Sequence, residues 1–189
     1  MNFKALVASL VLSVTAIPAM AEPTYERHDE AQDHIELLNT LADMGVDVQI
    51  NNPQICSKER GTAGFWVGAR KLFVLCQESI RKSAKPLYTG EVFQASDDDL
   101  DTIRHEAHHV IQDCMDGTID GELSAYLNPE NSVEFLSYYP DWKEEYIIKQ
   151  YRDMGASNHV IEMEIEAWAV ADMVSVDMIH EVLKRECKV

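Results

Sequence analysis

The stretch Arg104–Val110 constrains this chain more than any other, because its core reads His105-Glu106-Ala107-His108-His109. On a helix His105 and His109 lie four residues apart, so their rings project to the same side, one turn above the other. Two imidazoles so placed can grip one divalent metal, and Glu106 then falls where its carboxylate reaches a water beside that metal. The surrounding residues support a helix. Leu100, Ile103, Ala107, Val110, Ile111 and Cys114 form an apolar stripe at helical spacing, with His105, His109 and Gln112 off it on one adjoining side. Ser96 can cap this helix, with Asp99 at the third helical position and Asp97 and Asp98 complementing the positive end of the dipole. The expectation is a helix with its back in the core and its histidines facing a cleft. The bland alternative is a pair of solvated histidines.

A second helix supplies an acid that needs explaining. Ser157–Lys184 reads as one long last helix whose face includes Val160, Ile161, Ala167, Trp168, Ala171, Val174 and Met178, with Glu164 in its middle. A carboxylate among apolar side chains is expensive unless compensated, and a metal ion would compensate it. Ala167 and Ala171 would let this helix approach the HEAHH helix closely.

His105-Glu106-x-x-His109 resembles the active-site helix of the zincin metallopeptidases. The later helix resembles that of the gluzincin type, whose third protein ligand is a glutamate in a Glu-x-x-Ala pattern. Glu164-Ile165-Glu166-Ala167 fits with Glu164, and Glu166-Ala167-Trp168-Ala169 fits with Glu166. Glu164 is preferred because Glu166 shares its side with Glu162 and is expected to meet solvent. No third histidine follows at the spacing of metzincins. The resemblance implies Zn²⁺ held by His105, His109 and Glu164, Glu106 as general base, and a peptide or protein substrate. It leaves the side chain facing the oxyanion open among Tyr138, Tyr139, Tyr151, His159 and His180. Asp113 is a candidate for orienting a ligand histidine, and His108 is placed in a supporting or surface position. It also implies the fold: an α+β, mostly helical minimal zincin-like domain with a small antiparallel sheet beside the HExxH helix, one edge strand of which can receive extended peptide. Two rivals remain: a non-catalytic exported metal-binding protein on that scaffold, and a structural protein in which the motif is chance.

The address is read from the other end. Lys4, the apolar run Ala5–Ile17 and the Ala19-Met20-Ala21 site read as a signal peptide over residues 1–21, leaving 22–189 as a single domain. The run is too short for a comfortable membrane span, so no stable membrane insertion is expected once the signal is cleaved. A formal charge of −17 argues against nucleic acid and anionic membrane surfaces. The destination is periplasmic or secreted. Four cysteines in such a chain imply two disulfides. Cys56–Cys76 and Cys114–Cys187 are favoured, because the first pair brackets a hairpin and the second ties the tail to the HEAHH helix.

Elsewhere the pattern predicts a helix over Glu26–Met44 ended by Gly45, a strand over Val46–Ile50, and a hairpin of Phe65–Val67 and Leu72–Leu75. Lys58–Gly64 reads as loop and Gln77–Ala95 as a linking segment. Asp116–Asn131 reads as loop, its acids Asp116, Asp120 and Glu122 being a weak calcium candidate. Ser132–Tyr139 reads as a short helix, and a further helix runs from Pro140 to about Met154.

Overall fold

A computed structural model describes residues 27–57, 62–77 and 95–187. The expected signal peptide, most of the loop at 58–64 and most of the linking segment at 77–95 lie outside the described residues. The chain divides into two compact units, with the division between Ile103 and Arg104, inside the central helix.

In the first unit, α1 (Arg27–Asp43) leads through Gly45 into β1 (Asp47–Ile50). Gly45 has φ +83, a left-handed conformation that only glycine adopts cheaply, so the helix stops there. A single helical turn, α2 (Pro53–Cys56), follows, with the Asn52 side chain accepting from Gln54 N–H and Pro53 in the first turn. The hairpin is β2 (Gly64–Val67) and β3 (Leu72–Leu75), joined by a 3-10 turn at Gly68–Arg70.

The sheet order is β1-β3-β2, with β3 in the middle. β2 pairs antiparallel to β3, but β1 pairs parallel to it, in the register Asp47↔Leu72 to Ile50↔Leu75. The sheet is therefore mixed, which corrects the expected antiparallel one. The cause is the connection: β1 and β3 are joined through α2 and β2, a crossover long enough to return the chain in the same direction. Leu72–Leu75 is a continuous apolar run with every residue buried, as a central strand covered on both faces requires. Leu72 and Val74 pack with Phe65, Val67, Ile55 and the Cys56–Cys76 disulfide.

Across the division runs α3 (Asp97–Cys114). Its start is the expected capping box: Ser96 Oγ accepts from Asp99 N–H at 3.2 Å, and Asp99 Oδ2 accepts from Ser96 N–H at 2.9 Å. In the second unit follow α4 (Pro129–Leu136), α5 (Asp141–Asp153), α6 (Asn158–Met173) and α7 (Val176–Glu186). The predicted single helix 157–184 is thus two helices. Val174 is extended (φ −112, ψ 135), and Ser175 caps α7 by accepting from Met178 N–H. Met178, placed on the apolar face by the one-helix reading, is 63% exposed because the break resets the phase. Tyr139, Ile147, Tyr151, Ile161, Ile165 and Ala169 form a core between α5 and α6, closed by Phe135 and Leu136 of α4. Cys114 and Cys187 are joined, tying the end of α7 to the end of α3.

The structure is mostly helical with one small sheet, the α+β class expected. Both favoured disulfides are present and no cysteine is free, which fits an oxidising compartment. Among the described residues no helix is long and apolar enough to cross a membrane.

Candidate metal centre

From His105 to Cys114 every residue of α3 is buried, on the histidine side as well as the apolar side. The histidines therefore do not face an open cleft, as expected from the stripe; they face α6. That helix is apolar on nearly all sides from Ile161 to Ala171, and carries Glu164 and Glu166 into the interior at 1% and 3% exposure. Polar groups survive such burial only when they meet partners. Ala167 and Ala171 are buried, and Arg104 Nε donates to the Ala171 carbonyl at 2.8 Å, so α6 lies close against α3.

His105 Nε2 and His109 Nε2 are 3.1 Å apart. The same oxygen, Glu164 Oε2, lies 3.3 Å from the first and 3.5 Å from the second. Three lone-pair atoms thus form a triangle with sides of 3.1, 3.3 and 3.5 Å. Donors bound tetrahedrally to one zinc, at bond lengths of about 2.0–2.1 Å, stand roughly 3.3 Å from each other. The residues present fit such an ion. Glu106 is fully buried, with a carboxylate oxygen within 4.8 Å of a ring nitrogen of each histidine. His105, Glu106 and His109 thus form a second, overlapping group of three whose donor atoms all lie within 4.8 Å of one another. The acids of the 116–122 loop form no such group; Asp116 Oδ1 accepts from Thr118 N–H and Oγ1–H instead.

Burial sets the charges. It pushes His105 down to about 4, against the raising influence of Glu164, so that ring is neutral. Burial also opposes charge on His109, but the carboxylates of Glu164 and Glu106 and the hydrogen bonds to Glu164 and Gln112 outweigh it, raising the ring to about 9. Burial alone would raise Glu164; the His109 charge and the hydrogen bonds from both histidines instead hold it well below the usual carboxylate range. Tyr151 Oη donates to Glu164 Oε2 at 2.6 Å, and burial together with the Glu164 charge raises its hydroxyl well above the usual value. The Trp168 ring leans on His105 with centroids 4.4 Å apart.

Alongside lies a second polar group. His108 Nε2 is 2.8 Å from Glu166 Oε1, which also accepts from Gln112 Nε2 and Tyr126 N–H, each at 3.0 Å; Glu166 Oε2 accepts from Leu127 N–H at 3.1 Å. Glu166 does not meet solvent, as the sequence reading supposed, and His108 is not a surface residue. The helix alone gives no sign of this: Glu162, one turn earlier on the same side, is exposed, and Glu166 is drawn inside by partners remote in sequence. The group on His109 Nδ1 is Gln112, at 2.7 Å, and not Asp113. Asp113 accepts instead from the backbone N–H groups of Asp120 and Gly121. Of the five oxyanion candidates, Tyr151 is the one brought to the histidines' carboxylate. Tyr138 is 74% exposed, Tyr139 lies in the α5–α6 core, and His159 bonds the Leu123 carbonyl.

Fold and cluster together define a mostly helical α+β protein with a buried histidine–glutamate group able to hold a metal ion. The chain belongs to the family described as a domain of unknown function, DUF8637, whose model matches residues 29–188. No curated protein and no solved structure gives a significant match to it.

Proposed function

We propose that this chain is an exported zinc metallopeptidase of the gluzincin type, with His105, His109 and Glu164 holding the ion and Glu106 as general base. The observation that carries the reading is the triangle of His105 Nε2, His109 Nε2 and Glu164 Oε2, at the separations one tetrahedral cation imposes. It joins side chains of two separate helices, Asp97–Cys114 and Asn158–Met173, which a chance motif match does not explain. Bound there, Zn²⁺ would polarise a substrate carbonyl and acidify water at its open position. Glu106 takes the proton of the attacking water and returns it to the leaving amine. Uptake of the ion would displace the protons that the two imidazoles share with Glu164. Tyr151, whose hydroxyl donates to Glu164 Oε2, holds that carboxylate in place for the ion. The leader and the two disulfides support export, to the periplasm or beyond the cell.

A second reading rests on one observation. His105, Glu106 and His109 are each 0% exposed, so a substrate reaches them only after the surroundings move. A closed centre of this kind also suits a metal-binding protein without turnover. One experiment separates the two. The Glu106→Gln protein should keep one zinc per chain while peptide hydrolysis falls by about 10²–10⁴-fold. Zinc content by mass spectrometry and digestion of a broad peptide library are the measurements. Undiminished hydrolysis would refute the role given to Glu106, and a zinc-loaded wild-type chain that cuts no peptide would favour the second reading.

A further inference from the structure

We propose that Gln112 is a positioning residue: its carboxamide keeps a proton on His109 Nδ1 and thereby dedicates Nε2 to the metal. The inference rests on reading His105, His109 and Glu164 as a metal centre, and adds a residue that the HExxH pattern does not contain.

The orientation of a carboxamide is settled by its neighbours. Gln112 is fully buried, and one end of its amide lies 3.0 Å from two acceptors, the Met163 carbonyl and Glu166 Oε1. A backbone carbonyl has no proton to give, so this end is the NH2 group and the other is the oxygen. That oxygen stands 2.7 Å from His109 Nδ1. An amide oxygen only accepts; the ring nitrogen must be the donor. Turning the amide over would set its oxygen against a carbonyl and a carboxylate, two acceptors with no proton for it. His109 consequently carries its Nδ1 proton in either charge state, and Nε2 is the atom that binds a cation.

Glu166 holds Gln112 in place. Its oxygens also take hydrogen bonds from His108 and from the Tyr126 and Leu127 backbone, so it stays where the Gln112 NH2 group needs it. His105 is treated differently. Its Nδ1 has no hydrogen-bond partner among the described residues, so no side chain holds a proton on that nitrogen. One ligand ring is set in advance and the other adjusts when the ion arrives. Groups that orient a ligand imidazole in this way typically contribute 10- to 100-fold in metal affinity.

The test uses zinc as the probe and two readouts on the purified chain. Competition with a chelator should give a zinc Kd about 10- to 100-fold weaker for Gln112→Met than for the wild type. Side-chain ¹⁵N–¹H correlation spectra of the wild-type chain should show His109 with a slowly exchanging Nδ1–H, with and without zinc. This readout needs no variant and does not respond to a general loss of stability. A His109 Nδ1 without its proton overturns the proposal. Unchanged zinc affinity in a folded Gln112→Met, where the wild type binds, overturns the proposal alone. Failure of the wild-type chain to bind zinc removes the metal reading and the proposal with it.

Discussion

Glu164 and Glu166 stand two residues apart on α6, both are closed off from solvent, and both reach histidines of α3. What surrounds them differs. Glu166 is met by donors that bring their own protons: a histidine ring, a carboxamide and two backbone N–H groups, at 2.8–3.1 Å. It is an acceptor whose demand is filled. Glu164 Oε2 receives the Tyr151 hydroxyl and then looks at two imidazole nitrogens that also look at each other. A proton on one of those nitrogens can serve only part of that triangle; a divalent cation serves all of it. Under the proposed function, two Glu–His pairs built from the same residue types divide into a hydrogen-bonded tie and a cation cradle. Residue identity does not separate them. The number and kind of protons pointing at each carboxylate does.

Exchanging the pairs' roles is the strongest way to break this comparison. His109→Ala and Glu164→Ala should each abolish stoichiometric zinc binding, because two donors from the triangle do not hold an ion against solvent. His108→Ala should retain it. Zinc measured on the dialysed proteins decides. Retention in His109→Ala, or loss in His108→Ala, would mean that the cradle and the tie have been assigned the wrong way round.

The next effect falls on the tie. Glu166→Ala strands the Gln112 NH2 group, the His108 ring and the backbone N–H groups of Tyr126 and Leu127 in the interior. Deleting one partner of a buried polar pair of this sort costs about 3–5 kcal/mol. Urea unfolding of the metal-free chain measures it. Zinc affinity should also fall, by way of Gln112, without being abolished. A Glu166→Ala chain as stable as the wild type would show that Glu166 is not the tie described.

How much of this was legible beforehand follows from how local each signal is. The HEAHH spacing, the Ser96–Asp99 capping box and the stop at Gly45 are written within a turn or two of helix, and all are found where the pattern put them. Glu164 stood out because its neighbours are apolar. Glu166 is harder to place: Glu162, one turn before it on the same side, is exposed, and nothing local tells the buried acid from the exposed one. The break at Val174–Ser175 is a local signal that was overridden: Ser175 with Asp177 two residues later is a helix start, but the apolar spacing continues through it. The parallel pairing of β1 to β3 could not be read, since alternation shows which way side chains point and not which strand lies alongside. Gln112 is legible only as a residue near the motif, because its role depends on Met163 and Glu166, 51 and 54 residues away; Tyr151 is one tyrosine among several until Glu164, 13 residues on, is seen beside it.

The smallest effect sharpens the comparison most finely. Tyr151 makes a hydroxyl contact to Glu164, at 2.6 Å, and its pKa is raised well above the usual value, so it acts there as a donor. Its ring belongs to the α5–α6 core with Ile147, Ile161 and Ile165, and Tyr151→Phe keeps that packing while removing the oxygen. The loss is one hydrogen bond to a charged acceptor, about 1.5–3 kcal/mol in the metal-free chain. With zinc bound, the ion takes over most of the stabilisation of Glu164, and the difference between Tyr151→Phe and wild type should narrow. Unfolding curves with and without zinc test both statements. If the variant is destabilised as much as Glu166→Ala, Glu164 depends on its proton donor as Glu166 does on its four, and the cradle is another tie. If zinc narrows the gap, the two carboxylates differ in the partner they were built to receive.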